Sequence, residues 1–394
     1  MNKLDKKIFG TLFFSIFAAV TGVGIVVPLL PVYAHDLGAS GLYIALIFGA
    51  FSLSRTFFLP YFGRLSDLKG RKPFIVPGFL AYALISVAFV YSKSVDTLIF
   101  IRFFHGIASA MLMPVIQAYI GDITPKGREG ITMGLFNMSM FLGLSLGPVI
   151  GGTLKDHFSL QGSFLCMGLL ALIGFFLSLF LLPPKTSEPA MTHGKNSFSW
   201  KILITDRHVV GLFLFRFAYV ICVGIIWGFI PLLADMEFAA SSSLIGILVM
   251  LGVFISGLIH VPMGYLADRV SKKLMVTVGG LLVSYAIFSF EWAGRIEDLV
   301  IATVFFGLGG GISMPALMAM AVLEGSRINA MGSIMALMTI AHSLGMLCGA
   351  LVGGLMMDFF QLRWAFPLGA VVMMSCTAFF LMGTHPQEQE INKN

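Results

Sequence analysis

With 394 residues, 58% of them apolar and only 11% charged, the chain is excluded from the soluble class, where about 25% of residues are charged. The mean hydropathy of +0.94 points the same way. The net charge of +6 would fit a nucleic-acid partner, but the placement of the basic residues assigns it to membrane topology instead.

The chain opens MNKLDKK, which looks like the start of a signal peptide. The apolar stretch from Ile8 to Tyr33 is too long for an h-region and ends in no small-residue cleavage site, so it reads as a first span. Eleven more apolar stretches follow, at about 42–62, 74–92, 97–120, 131–154, 163–182, 208–233, 243–263, 274–292, 297–323, 331–356 and 364–383. Each can cross roughly 30 Å of hydrocarbon as a helix. The expected fold class is an all-α polytopic membrane protein with twelve transmembrane helices.

With the N-terminus in the cytoplasm, about 18 of the 25 Lys and Arg residues fall on the cytoplasmic side and about 4 on the other; Arg55, Arg102 and Arg216 lie within spans. The reverse orientation would invert the bias. Both termini are therefore expected in the cytoplasm, and the short loops point to a prokaryotic inner membrane. Cys166, Cys222, Cys348 and Cys376 are scattered through the spans and read as soft packing residues; no metal site is expected.

PPKTSEPAMTHGKNSFSWKILITDRH (183–208) is the longest polar stretch and divides the chain near its middle. The halves align at an offset of about 201–203 residues: PLL at 28–30 returns at 231–233, GRLSD (63–67) as GYLAD (264–268), and Met-Pro at 113–114 as 314–315. Gly143, Gly147, Gly151 and Gly152 return as Gly345, Gly349, Gly353 and Gly354. The organisation is a six-helix bundle over 1–182, a cytoplasmic linker over 183–207 and a second bundle over 208–394. Duplicated six-helix halves are transporter architecture, with a substrate site expected between them near the midplane.

The loop after the second span, GRLSDLKGRKP (63–73), sets one acid among four basic residues and two glycines. Asp67 can accept from Arg71, while Gly63 and Gly70 permit close backbone approach. With Lys72 and the second-half Asp268, these residues make a candidate conformational gate; the plainer alternative is a positive-inside loop. In the fourth span, Arg102, His105 and Ser109 share a helix face. An intramembrane arginine is costly and therefore a functional candidate, and His105 could relay protons or simply bond to a neighbouring helix.

The fifth span reads GLSLGPVIGG (143–152), and GLSLG fits a nucleophile elbow with Ser145 as nucleophile. Such an elbow needs a strand, and no strand is plausible in this apolar run. The second-half copy keeps the glycines without the serine, so Gly143, Gly147, Gly151 and Gly152 read as helix packing and Pro148 as a hinge. An enzyme is not expected.

These motifs together resemble the major facilitator superfamily. GRLSDLKGRKP matches its loop signature at Gly63, Leu65, Asp67, Gly70, Arg71 and Lys72. RFFHG is similar to its fourth-span element, with His105 where glutamine is more usual, and G-x-x-x-G-P-x-x-G-G resembles the fifth-span motif of its drug–proton antiporters. The resemblance implies proton coupling through Arg102, and export.

Carboxylates cluster in loops and at span ends, with Asp36, Asp122 and Glu291 nearest the hydrocarbon, while span interiors hold three arginines with His105, His260 and His342. A neutral to positive pocket favours neutral, zwitterionic or anionic cargo over a cation. Arg216, Tyr219, Val223 and Trp227 form a stripe on the seventh span suited to amphipathic molecules, with Arg55, Asn137 and Gln117 as further contacts. His105 and Asp36 are the candidate proton carriers beside Arg102. No nucleotide-binding G-x-x-x-x-G-K-[ST] occurs, and no cofactor is expected.

The expected protein is a monomeric, proton-coupled exporter of small amphipathic molecules, with lipid, cargo and protons as its partners. Two readings remain beside it: dedicated export of an anionic or zwitterionic metabolite such as a metallophore or lipid-like molecule, and a non-transporting membrane sensor.

Overall fold

The computed structural model describes residues 3–124, 129–183, 206–267, 269–328 and 331–383, without the side chains of Lys3, Asp67, Glu129, Ile131, Met133, Ser326, Met331 and Ser333. Among them twelve helices are long and apolar enough to cross a membrane, and there is no strand. A helix satisfies its own backbone polar groups, the condition hydrocarbon imposes on any spanning segment.

In chain order the helices are α1 (Lys3–Asp36), α2 (Gly41–Lys69), α3 (Lys72–Tyr91), α4 (Val95–Asp122), α5 (Glu129–His157) and α6 (Leu160–Leu181). The second set is α7 (Arg207–Phe238), α8 (Ser242–Ala267), α9 (Lys272–Ser289), α10 (Ile296–Arg327), α11 (Met331–Phe359) and α12 (Ala365–Gly383). Several starts are built from short polar side chains accepting orphan backbone N–H groups. Ser94 accepts from Thr97 N at 3.3 Å, Ser159 from Gly162 N at 3.0 Å and Ser271 from Leu274 N at 3.3 Å.

The helices outrun the apolar stretches. α2 continues to Lys69, so Gly63 to Lys69 of the GRLSDLKGRKP segment are helical, and the expected loop shrinks to Gly70 and Arg71. Nothing in GRLSDLK breaks a helix, and the chain turns only where Gly70 adopts φ +89°, a conformation that favours glycine. Gly63 behaves differently from expectation: a Cβ there, as at Gly70, would meet nothing within 4 Å. Gly70 serves by its dihedral angle, not by close approach.

By its contacts the chain separates into two compact units, Met1–Gly194 with Ile230–Met250, and Lys195–Phe229 with Leu251–Asn394. In the first, α1 packs on α5 and α6, α2 on α4, and α3 on α4 and α6. In the second, α9 packs on α10 and α12, and α10 on α11.

The first unit also holds an unusual cap. Asp156, near the end of α5, accepts from the backbone N–H of Ser242 at 3.1 Å and of Ser243 at 2.7 Å, the first residues of α8. A carboxylate at a helix N-terminus satisfies orphan donors and meets the positive end of the dipole. Asp156→Ala is expected to destabilise the α8 start by about 1 kcal/mol. Hydrogen exchange over residues 242–246 should then accelerate about fivefold, and unchanged exchange would show that water replaces the carboxylate.

Candidate functional site

The first polar centre sits within the first unit, around α4. Arg102 and His105 are 3% and 0% exposed. Spaced three apart on one helix, they meet directly: Arg102 Nη1 lies 3.2 Å from His105 Nδ1. A guanidinium can only donate, so Nδ1 accepts and the ring proton resides on Nε2. Arg102 Nε donates to the Ile47 carbonyl at 3.4 Å, and its guanidinium lies 4.3 Å from the Phe51 ring centre and 5.5 Å from that of Phe48. Desolvated cation–π contacts of this kind are worth about 2 kcal/mol.

His105 is caged by ring edges, with Tyr82 at 4.7 Å, Phe51 at 5.2 Å and Phe89 at 6.2 Å between centres, and its Nε2 has no hydrogen-bond partner among the described residues. Gly106 makes the cage possible: a Cβ there would run into the Phe51 carbonyl and the Ser54 hydroxyl, so α4 can lie directly on α2. Arg55 on α2 is half-buried and its Nε also lacks a partner.

The end of the same unit that carries the α2–α3 turn holds the candidate gate. Arg71 Nε donates to Asp122 at 3.0 Å and Nη1 to Ser66 at 2.7 Å, tying the turn to the end of α4. Lys72 Nζ donates to the carbonyls of Leu179 and Leu182 at 2.7 and 2.6 Å, where α6 leaves its last acceptors open. The Asp67 side chain and all of Asp268 lie outside the described residues.

On α5 the glycines form a seam. A Cβ on Gly143 would stand 2.9 Å from the Phe17 carbonyl, one on Gly147 would meet the Thr21 carbonyl and stand 2.6 Å from Gly24 Cα, and one on Gly151 would stand 2.7 Å from the Ile25 carbonyl. These are backbone contacts with α1, while Gly152 meets Ser242 and Ser243 instead. Gly345 and Gly349 on α11 repeat the seam against Phe217 and Ile221 of α7. Pro148 lies inside the continuous α5 helix. Ser145 donates to the Phe141 carbonyl of its own helix at 2.7 Å.

The second polar centre lies in the second unit. Arg216 on α7 donates through Nη1 to Met314 Sδ at 2.8 Å, and Nη2 lies 3.3 Å from His342 Nδ1; Nε has no partner among the described residues. Tyr219 stacks on Phe306 at 5.7 Å and 9°, its ring filling the place a side chain on Gly310 would take.

A scan against protein-family models matches the Major Facilitator Superfamily over residues 12–236 and again over 212–394. The chain belongs to the major facilitator superfamily. It is 28% identical over 379 residues to an uncharacterized MFS-type transporter of Methanocaldococcus jannaschii, covering 94% of this chain and 96% of the relative. It is 27% identical over 380 residues to multidrug resistance protein 2 of Bacillus subtilis (strain 168), covering 94% and 93%. Among solved structures, a bacterial homolog of the human lysosomal transporter Spinster, inward-facing and occupied, aligns with a TM-score of 0.76 at 14% identity over 97% of each chain.

This superfamily member is thus a multi-pass membrane transporter of small molecules, and not an enzyme. Of the sequence-derived site residues, Arg102 and His105 come together, Arg216 and Tyr219 stand three residues apart on α7, and Trp227 further along the same helix is half-buried. Gln117 on α4 and Asn137 on α5 are exposed, and Asp36 stands exposed at the end of α1.

Sequence reasoning missed the partners of Arg216 and the trans cap by Asp156. It also missed Glu324, which is 3% exposed and bonded to Arg327. Arg327 donates to Asp206 as well, at 2.8 Å, so the end of α10 is tied to the start of α7. The bond that Arg327 donates to Glu324, more than any other influence, raises its guanidinium above its ordinary pKa. No group of three His, Cys, Asp or Glu side chains converges to hold a metal among the described residues.

Proposed function

We propose that this transporter is a proton-coupled exporter of small amphipathic molecules, working by alternating access as a monomer in the prokaryotic inner membrane. The observation that carries the reading is the pairing of Arg102 with His105 in a fully buried aromatic cage: a cation held at high cost beside a titratable ring. Likeness to a multidrug resistance protein over nearly the whole of both chains supports export of varied cargo.

In this reading Arg102 and His105 take part in coupling, with Asp36 as a second proton carrier, while Arg216, Tyr219, Trp227, Arg55, Asn137 and Gln117 contact cargo. Gly63, Asp67, Gly70, Arg71, Lys72 and Asp268 act as the gate, which the Arg71–Asp122 tie supports. Gly143, Gly147, Pro148, Gly151 and Gly152 form the packing seam and hinge. Residues 1–182 and 208–394 act as two halves joined through 183–207, with both termini cytoplasmic, an orientation the basic-residue bias supports.

A second reading, dedicated export of one anionic or zwitterionic metabolite, is favoured by the absence of a carboxylate beside Arg55, Arg102 or Arg216 among the described residues.

The test is proteoliposomes under an imposed pH gradient, with a pH dye inside and neutral, cationic and anionic amphiphiles added in turn. Proton movement evoked by amphiphiles and reduced at least about tenfold in His105→Ala is expected. No proton movement with any compound would remove the coupling claim, and movement with cations alone would overturn the charge reading.

A further inference from the structure

The three arginines inside the spans are not equivalent. Arg102 is sealed, donating to a carbonyl and a histidine with its face against two rings. Arg216 is half-buried and poorly matched. A guanidinium offers five N–H donors, and here one goes to a thioether sulfur and one to a neutral imidazole nitrogen, both uncharged and the first a weak acceptor. Nε is left buried and, among the described residues, without a partner. No carboxylate of the described residues pairs with it.

In an apolar setting the acceptor that best completes such a group is a planar two-oxygen anion, which takes two parallel N–H bonds from one edge. Beside the arginine, Tyr219 and Phe306 lie stacked at 5.7 Å and present aromatic surface fixed by the slot at Gly310. A charged edge next to a rigid aromatic pair is complementary to a carboxylate carried on a flat apolar body.

We propose that Arg216, with His342 holding its Nη2, is an anion-recognition point for cargo, and that its ligand is an aromatic or similarly flat amphipathic carboxylate that engages Nε and displaces the Met314 sulfur. The inference rests on the reading of this chain as a transporter of amphipathic molecules and adds the charge class that reading leaves open. Acidic phospholipid offers a related anion, and the experiment separates the two sources.

Binding, not transport, is the readout, so the result does not depend on proton coupling. The full chain in phosphatidylcholine nanodiscs is titrated with 2-naphthylacetate and with its uncharged amide. The wild type is expected to bind the carboxylate at least about tenfold more tightly than the amide. Arg216→Gln should bring the carboxylate down to the level of the amide, with an unchanged size-exclusion profile of the loaded disc reporting that the variant is folded. Arg216→Lys should recover only part of the preference, since an ammonium cannot offer a fork.

Equal binding of acid and amide by the wild type, or a preference that survives in Arg216→Gln, would overturn the proposal. So would the absence of saturable binding of either probe up to about 1 mM, because the site as described asks only for a carboxylate on a flat apolar body. Repeating the titration with phosphatidylglycerol in the disc supplies the last arm. Loss of carboxylate binding beyond that seen in Arg216→Gln would assign the site to lipid and overturn its assignment to cargo.

Discussion

Replacement of Arg102 with methionine is expected to reduce gradient-driven transport by at least about a hundredfold while raising thermal stability. The buried guanidinium has no carboxylate partner among the described residues, and apolar residues of similar volume in place of buried charged groups are often neutral or stabilising by about 1–4 kcal/mol. A stability gain coupled to loss of transport separates a functional charge from a structural one. A fall in melting temperature would instead mean that the contacts with Phe48, Phe51 and Ile47 hold α2 and α4 together.

His105 sharpens that test. In His105→Ala, Arg102 loses its Nδ1 acceptor inside an apolar cage, at a cost of about 1–3 kcal/mol. His105→Gln returns a carbonyl acceptor at the same helix position. If the histidine serves to hold Arg102, the glutamine variant should keep most of the transport that alanine loses. If the ring itself passes protons, both variants should fail alike in the pH-dye assay.

The second large effect is expected at Gly147. A valine there would drive its Cβ into the Thr21 carbonyl and against Gly24 Cα, both backbone atoms that cannot step aside without moving α1. Overpacking typically costs 1–3 kcal/mol, and a contact confined to backbone should reach the top of about that range or exceed it. The expected result is little folded protein after detergent extraction, scored by size-exclusion profile. Gly349→Val should do the same through Ile221 in the second unit. Gly10→Ala is the control: its Cβ meets nothing within 4 Å, so helix propensity should leave that variant neutral or about 1 kcal/mol more stable. A well-folded Gly147→Val would show that the α1–α5 seam can open.

The fold was legible because its signals are local or periodic. A span announces itself by length and hydropathy, and a duplicated glycine pattern by its spacing, so the twelve helices and the role of Gly143, Gly147 and Gly151 could be read without coordinates. Side-chain partnerships were legible only within one helix turn, as for Arg102 and His105. Asp122 as a partner of Arg71, His342 and Met314 beside Arg216, and Asp156 capping α8 all depend on the rotation and height of separate helices. Nothing in a linear pattern fixes those two quantities. Gly63 shows the reverse error, a glycine whose position in a signature implied a close contact that the helix does not make.

Arg55, Arg102 and Arg216 carry positive charge into the membrane-spanning helices, and none of the three is paired with a carboxylate among the described residues. Such charges sit inside the electric field of an energised membrane, where moving one elementary charge across the whole drop is worth about 2.3 kcal/mol per 100 mV. Any rearrangement that shifts an arginine through even part of that drop is driven in one sense and opposed in the other. A carboxylate seated on Arg216 would remove one of these charges for as long as it is bound. Loaded and empty forms would then feel the membrane voltage differently, and the empty form, with all three charges exposed to the field, would be the more sensitive of the two.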